Sequence, residues 1–177
     1  LSFQYFELQG HNEIKIFPAE LALGRGEYWR LLTPAFLHFG LLHIVFNSLW
    51  IWEFGRRIEL LAGKASFILI ALGIAIGANV GQYLWEADQV FGGLSGVVYG
   101  FLGYIWVRNM MAPHPLLQVP PGIISIMLIW LVICWLGIVD LFMSGGVANG
   151  AHIVGLVVGM LFGGLAGISK RNKMGDT

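Results

Sequence analysis

Ser95 is the residue whose surroundings most favour nucleophilic chemistry. It lies in FGGLSGVVYG (91–100), where glycines precede the serine and an apolar helical segment follows. Glycines let the backbone turn sharply, and the first N–H groups of a helix lack intrahelical partners. Such N–H groups can stabilise the oxyanion that forms when a serine attacks a carbonyl carbon. The alternative is that Ser95 and these glycines only allow two membrane helices to pack closely.

His152 is the candidate general base for that serine. It lies near the start of GAHIVGLVVGMLFGG (150–164). Both segments carry small residues at four-residue spacing: Gly96 and Gly100 in the first, Gly155 and Gly159 in the second. Packing these two faces together would bring His152 beside Ser95, within reach of a proton transfer. The alternative is a histidine that only bridges two helices.

Three further side chains could assist this pair. His43 and Asn47 are four residues apart on one helical face, so their side-chain N–H groups could join the Ser95 amide as oxyanion donors. Tyr99 lies one turn after Ser95, where its ring could support the imidazole. Polar contact between helices and plain aromatic packing are the respective alternatives. No Asp or Glu is placed to complete a triad, which predicts a Ser-His dyad.

The composition is typical of a membrane protein. Of the 177 residues, 57% are hydrophobic and 11% are charged, whereas soluble domains carry about a quarter charged residues. Apolar windows between the charges are long enough to cross about 30 Å of hydrocarbon. We therefore predict an all-α, polytopic transmembrane helical bundle; a soluble helical protein does not fit, because the windows lack polar faces at helical period. The predicted spans lie near 36–54, 65–85, 94–108, 122–139 and 150–168.

The basic residues predict the orientation of these spans. They follow the first, third and fifth spans: Arg56, Arg57, Lys64, Arg108, Lys170, Arg171 and Lys173. The loops 86–93 and 140–149 contain neither Lys nor Arg, so the positive-inside rule places the basic loops and the C-terminus in the cytoplasm. Ser95 and His43 each lie thirteen residues from a cytoplasmic arginine, about 20 Å from that boundary. The polar groups therefore converge toward the outer face of the membrane.

The N-terminal part is expected to complete the bundle only partly. The number of predicted spans, five, is odd, which places the N-terminus outside the membrane. The chain begins at Leu1 inside an apolar stretch. We expect residues 1–35 to hold a truncated first span and an external loop, within a single membrane domain of residues 1–177. The glycine-rich segment MSGGVANG (143–150) is expected to cap the site.

Other chemistries have less support in the sequence. A formal net charge of zero gives no electrostatic basis for nucleic-acid binding. The chain has no His-Glu-x-x-His motif, and the five-residue spacing of His38 and His43 does not place them on one helical face. His38 is expected to precede the first helix and to take part in a structural hydrogen-bond network. The single cysteine, Cys134, lies in an apolar run and is interpreted as core or lipid-facing packing. We predict no metal site and no cofactor.

Three segments resemble the signature regions of the rhomboid intramembrane serine proteases, and of their bacterial GlpG-like branch in particular. They are WRLLTPAFLHFGLLHIVFN (29–47), GGLSGVVYGFLGY (92–104) and ANGAHIVGLVVG (148–159). They occur in the order typical of the family, over roughly residues 28–167. The resemblance implies a core of six spans, of which the first is largely absent from this chain.

The resemblance also assigns roles to the candidate residues. It implies that Ser95 is the nucleophile and His152 its base. It further implies that His43, Asn47 and the backbone around Gly92 to Ser95 donate to the oxyanion, and that Tyr99 supports the imidazole.

These features predict an intramembrane serine endopeptidase that cleaves transmembrane segments of other membrane proteins near the outer face. The family branch implies a bacterial inner membrane, with the site on the extracytoplasmic side; the oligomeric state stays open. The rival is a catalytically silent rhomboid-like protein that binds membrane helices. Relatives of that kind typically lose the serine or the histidine, and both are present here. A transporter would need ionisable groups through the full membrane depth, whereas these groups lie at one level.

Overall fold

The computed structural model describes residues 5–9, 13–17, 23–87, 90–139 and 147–175, the side chains of 5–9, 13–17 and 173–175 excepted. This part contains five long α-helices: α1 (Leu41–Ala62), α2 (Lys64–Trp85), α3 (Ser95–Met111), α4 (Pro121–Trp135) and α5 (Asn149–Gly175). They form a bundle, which confirms the predicted all-α class.

A β-hairpin lies near the N-terminus, where part of a first span was expected. Strands β1 (Tyr5–Gln9) and β2 (Glu13–Phe17) pair antiparallel, with Glu7 opposite Lys15 in the register. Residues 1–35 were expected to hold a truncated first span and an external loop; these two segments are strands and not part of a membrane helix, and the division of residues 1–35 stays a prediction. Polar and apolar residues alternate along both segments, and this period of two suits a strand and not a membrane helix.

The ends of the helices follow local backbone signals. α1 begins at Leu41, later than predicted, because a 3-10 helix at Thr33–Phe36 precedes it. It continues past the charged residues to Ala62, where Gly63 with φ +83° ends it. α4 ends at Trp135, earlier than the predicted 139, whereas α5 runs beyond its predicted end at 168.

Within the described residues, three helical segments are long and apolar enough to cross a membrane: Lys64–Trp85, Pro115–Trp135 and Asn149–Asn172. α1 has a comparable length, but Glu53, Arg56 and Arg57 lie in its second half. α3 has 17 residues, at the short end of what spans hydrocarbon. Helices of this composition indicate an integral membrane protein.

α3 is the central helix of the bundle. Every residue from Gly96 to Ile105 is buried, and the helix packs against α1, α2 and α5. α5 also packs along α2, where glycines four residues apart face α5 side chains: Gly73 faces Phe162, Gly77 faces Val158 and Gly81 faces Val154. α3 and α5 run parallel, so their N-termini meet at the same end of the bundle.

Candidate active site

The backbones of α3 and α5 approach each other closely through glycines. A Cβ atom on Gly155 would lie 2.2 Å from the carbonyl oxygen of Gly96, and one on Gly159 would lie 1.8 Å from that of Gly100. Real Cβ atoms do not approach an oxygen so closely, so only glycine fits at these two positions of α5. The contact sets the register of the two helices and thereby the relative position of the side chains at their N-termini.

Ser95 and His152 lie within hydrogen-bond distance at this end of the bundle. Ser95 is the first residue of α3, and His152 lies in the first turn of α5. The distance from His152 Nε2 to Ser95 Oγ is 2.8 Å. His152 is buried, with 5% of its surface exposed. A hydroxyl that donates to an imidazole nitrogen in this way is the arrangement that activates a serine as a nucleophile.

Tyr99 contacts the other side of the imidazole. The centroids of the Tyr99 and His152 rings are 4.9 Å apart, and the rings are tilted by 38°. The Tyr99 hydroxyl donates to the carbonyl oxygen of Met127 in α4 at 3.0 Å. The ring therefore limits rotation of the imidazole, and its hydroxyl ties α3 to α4.

The second ring nitrogen of His152, Nδ1, is buried and makes no hydrogen bond within the described residues. If Nε2 accepts from Ser95, Nδ1 must carry the proton of the neutral ring. Among these residues no carboxylate is hydrogen-bonded to the imidazole, and the Ser-His dyad stays a prediction.

His43 and Asn47 of α1 lie beside the turn that leads into Ser95. A Cβ atom on Gly93 would lie 2.7 Å from His43 Nε2 and 3.5 Å from Asn47 Nδ2. Gly93 has φ +122°, a conformation that residues with a side chain rarely adopt. The Ser95 amide is adjacent and begins a helix without a side-chain cap. The Ser95 amide and two side-chain nitrogens of the kinds that can donate to an oxyanion thus lie around one short turn.

The glycines before Ser95 are packed against the segment that precedes α1. The Gly93 N–H donates to the carbonyl oxygen of Pro34 at 3.0 Å. A Cβ atom on Gly92 would lie 2.5 Å from Leu37 Cβ and 2.8 Å from the same Pro34 oxygen. The Gly93 N–H is therefore already used in a backbone hydrogen bond. Position 92 leaves no room for a side chain. The donor role of the Gly92 backbone stays a prediction.

His38 lies closer to these residues than its sequence position suggested. Its ring is 4.9 Å from the His43 ring, and its Nε2 is 3.1 Å from Asn47 Nδ2. The five-residue spacing did not predict this contact, because α1 begins only at Leu41 and His38 belongs to the preceding loop. Within the described residues, no three His, Cys, Asp or Glu side chains converge as ligands of a metal ion.

The family of the chain follows from its similarity to known proteins. Residues 25–168 match the family model of the rhomboid domain. The chain belongs to the rhomboid family. It is similar to proteins named rhomboid protease GlpG: one from Pectobacterium atrosepticum is 36% identical over 160 residues, covering 90% of this chain and 56% of the relative. One from Yersinia pestis is 37% identical over 135 residues, covering 76% and 47%. This confirms the predicted resemblance to the bacterial GlpG-like branch, and the chain spans about half the length of the curated relatives it matches.

Two polar residues of α2 in this rhomboid protein support the site without having been singled out in the sequence. Gln82 Oε1 accepts the N–H of Ala151 at 3.0 Å, which caps the N-terminus of α5 next to His152. Asn79 Nδ2 donates to the carbonyl oxygen of Leu31 at 2.8 Å. Both side chains are buried in an otherwise apolar helix. The rule that polar groups at membrane depth need a partner would have identified them.

Residues 143–146 of the segment expected to cap the site lie outside the described residues, which resume at Val147, and its role as a cap stays a prediction. Asn149, in the described half of the segment, donates from Nδ2 to the carbonyl oxygen of Cys134 at 3.3 Å. The start of α5 is therefore tied to the end of α4 as well as to α2.

Proposed function

We propose that this chain is the catalytic part of an intramembrane serine endopeptidase that cleaves transmembrane segments of other membrane proteins. The observation that carries the proposal is the 2.8 Å contact between Ser95 Oγ and His152 Nε2 at a helix N-terminus inside an apolar bundle. A buried imidazole that meets a serine at this distance has the geometry of a nucleophile and its base. The names of the GlpG relatives, which describe proteases, support the same class of reaction.

The first half of the reaction would form an ester with the enzyme. Ser95 Oγ attacks the carbonyl carbon of the scissile peptide bond while His152 Nε2 takes the hydroxyl proton. The carbonyl oxygen becomes an oxyanion and turns toward the donors beside Gly93. When the carbon–nitrogen bond breaks, His152 returns the proton to the departing amine, and the acyl group stays on Ser95.

The second half would release the acyl group with water. His152 takes a proton from a water molecule, whose oxygen attacks the ester carbon. The bond between that carbon and Ser95 Oγ then breaks, His152 returns the proton to Oγ, and the carboxylic acid product leaves. Water must therefore reach a serine in an apolar bundle. Ser95 and His152 both lie at helix N-termini and not at mid-helix, which favours access from that end.

The depth of the site suggests where a substrate is cut. Ser95 is thirteen residues from Arg108 along α3, so the nucleophile lies about 20 Å from that end of the helix. With basic residues on the cytoplasmic side, cleavage would occur near the outer face, in a bacterial inner membrane. The substrate helix must unwind locally, because its carbonyl groups are otherwise hidden by intrahelical hydrogen bonds.

Cleavage of a transmembrane substrate in liposomes tests the proposal. Wild type, Ser95→Ala and His152→Ala are compared, with Ser48→Ala as the matched control, since Ser48 is an exposed serine on α1. We expect wild type and Ser48→Ala to cleave, and the other two variants to be inactive although folded. Substrate binding without cleavage by the wild type would instead support a catalytically silent membrane-helix binder. Cleavage that persists in Ser95→Ala would remove Ser95 from the mechanism.

A further inference from the structure

We propose that His38 is a positioning residue, which fixes the amide of Asn47 so that its N–H, and not its carbonyl oxygen, faces the oxyanion. This inference rests on the proposed function and adds a residue that touches neither the substrate nor Ser95. His38 lies in the loop before α1, and Asn47 lies in the second turn of α1. The two side chains meet beside the turn that contains Gly93.

The contacts of His38 determine which of its nitrogens carries the proton. Nδ1 is 3.2 Å from the carbonyl oxygen of Phe36, and a carbonyl oxygen can only accept. Nδ1 must therefore be the protonated nitrogen. In the neutral ring Nε2 is then an acceptor, and it faces Asn47 Nδ2 at 3.1 Å. The carbonyl oxygen of Phe36 thus determines the tautomer of His38. In this tautomer Nε2 can only accept, so Asn47 must present a hydrogen-bond donor to it.

This acceptor selects one of two orientations of the Asn47 amide. One N–H of Nδ2 donates to His38, and the same nitrogen lies 3.5 Å from the position of a Cβ atom on Gly93, next to Ser95. The second N–H is therefore left for the oxyanion side of the turn. A rotated amide would direct its carbonyl oxygen toward both His38 Nε2 and the developing negative charge, and both contacts would be repulsive.

Burial makes this selection effective. Asn47 is 5% exposed, so water cannot readily replace a lost partner. The His43 ring packs edge-on against the His38 ring with centroids 4.9 Å apart. His38 therefore contacts both side chains that we propose as oxyanion donors, although it is not a donor itself.

A double-mutant cycle on cleavage tests the inference. Removal of one oxyanion donor lowers kcat by about 100- to 1,000-fold in other serine proteases, and we expect Asn47→Ala in this range. His38→Met should lower kcat by roughly tenfold with little change in KM. In the Asn47→Ala background, His38→Met should cause no further loss, because the residue through which it acts is gone. Equal losses in both backgrounds would show a merely structural role and overturn the proposal.

His38→Gln is the matched variant for His38→Met. Glutamine has a similar length and keeps an acceptor oxygen that can reach Asn47, whereas methionine offers no comparable acceptor. We expect His38→Gln to retain most of the wild-type kcat. If the two variants behave alike, the acceptor has no role and the inference is refuted.

Nitrogen NMR of the labelled His38 ring supplies a readout that does not depend on cleavage. We expect a protonated Nδ1 and an unprotonated Nε2, with the Nε2 resonance shifting in Asn47→Ala. A ring protonated at Nε2 in the wild type would overturn the inference even in an active enzyme. If the ring shows the expected tautomer but the protein cleaves no substrate, the proposed function is refuted, whereas the contact between His38 and Asn47 is retained.

Discussion

Gly159→Ala is the substitution for which the packing of α3 against α5 makes the sharpest prediction. The added Cβ atom would lie 1.8 Å from the carbonyl oxygen of Gly100 and 2.5 Å from its carbonyl carbon. A carbon–oxygen contact needs about 3.3 Å, so the two backbones must separate locally by roughly 1.5 Å. The contacted atoms belong to the backbone of a helix, which cannot rotate away as a side chain would.

The separation should affect both stability and catalysis. Overpacking costs about 1–3 kcal/mol, and alanine recovers about 1 kcal/mol over glycine in a helix, so we expect a net loss of about 1 kcal/mol, and at most about 2 kcal/mol, in unfolding free energy. The 2.8 Å contact between Ser95 and His152 depends on the same interface. A misplacement of about 1 Å in catalytic geometry can cost 100-fold, and we expect kcat to fall by about that factor.

Gly164→Ala is the matched control on the same helix. Its Cβ atom would meet only side-chain atoms, at 3.8 Å and 3.9 Å, which are ordinary contact distances. We expect unchanged kcat and a stability equal to or up to about 1 kcal/mol above wild type. Denaturant unfolding in micelles and initial cleavage rates measure both quantities. If Gly159→Ala is as stable and as active as Gly164→Ala, the close approach of α3 and α5 is not what positions the site.

Three other substitutions each test one of the contacts around Ser95 and His152. Tyr99→Phe keeps the ring beside the imidazole but removes the hydrogen bond to α4, so the unfolding free energy should fall by about 1 kcal/mol with little change in kcat; a loss of kcat as large as in Tyr99→Ala would contradict this. Gln82→Ala leaves a buried N–H of α5 unpaired and should cost about 1–3 kcal/mol in the same unfolding assay; an unchanged unfolding free energy would show that this hydrogen bond does not hold the start of α5. Gly93→Ala forces a strained backbone at a cost of about 1–3 kcal/mol and pushes a Cβ atom into His43, so kcat should fall by more than stability alone explains; unchanged kcat in the folded variant would argue against the donor role of His43.

Much of the fold could be predicted from the sequence, because few arrangements of the helices allow the polar side chains of an apolar chain to be buried. Ser95 and His152 stand out against long uncharged windows, and glycines at four-residue spacing mark the faces through which their helices meet. The all-α class and the family follow from the same segments. Charge placement gave approximate helix positions, since a membrane span excludes charged side chains.

Features that depend on backbone conformation could not be predicted from the sequence. The positive φ of Gly93 and the approach of His43 depend on how the turn before α3 meets α1, and no local pattern encodes that contact. His38 was expected to precede the helix, but its contacts with His43 and Asn47 were not predicted, because helical periodicity says nothing about how a loop residue folds back on the helix. The N-terminal hairpin was obscured because hydrophobicity alone suggested a membrane segment, while the alternation of polar residues indicated strands.

Covalent labelling of the nucleophile is the most direct test of the central claim, which is that His152 activates Ser95. The protein is treated with a fluorophosphonate, which reacts with activated serines, and the modified residue is located by peptide mass spectrometry. We predict a single adduct at Ser95 in the wild type and labelling at least 100-fold slower in His152→Ala, because the hydroxyl then lacks its base. Equally fast labelling of Ser95 in both proteins, or an adduct at another serine, would contradict the claim.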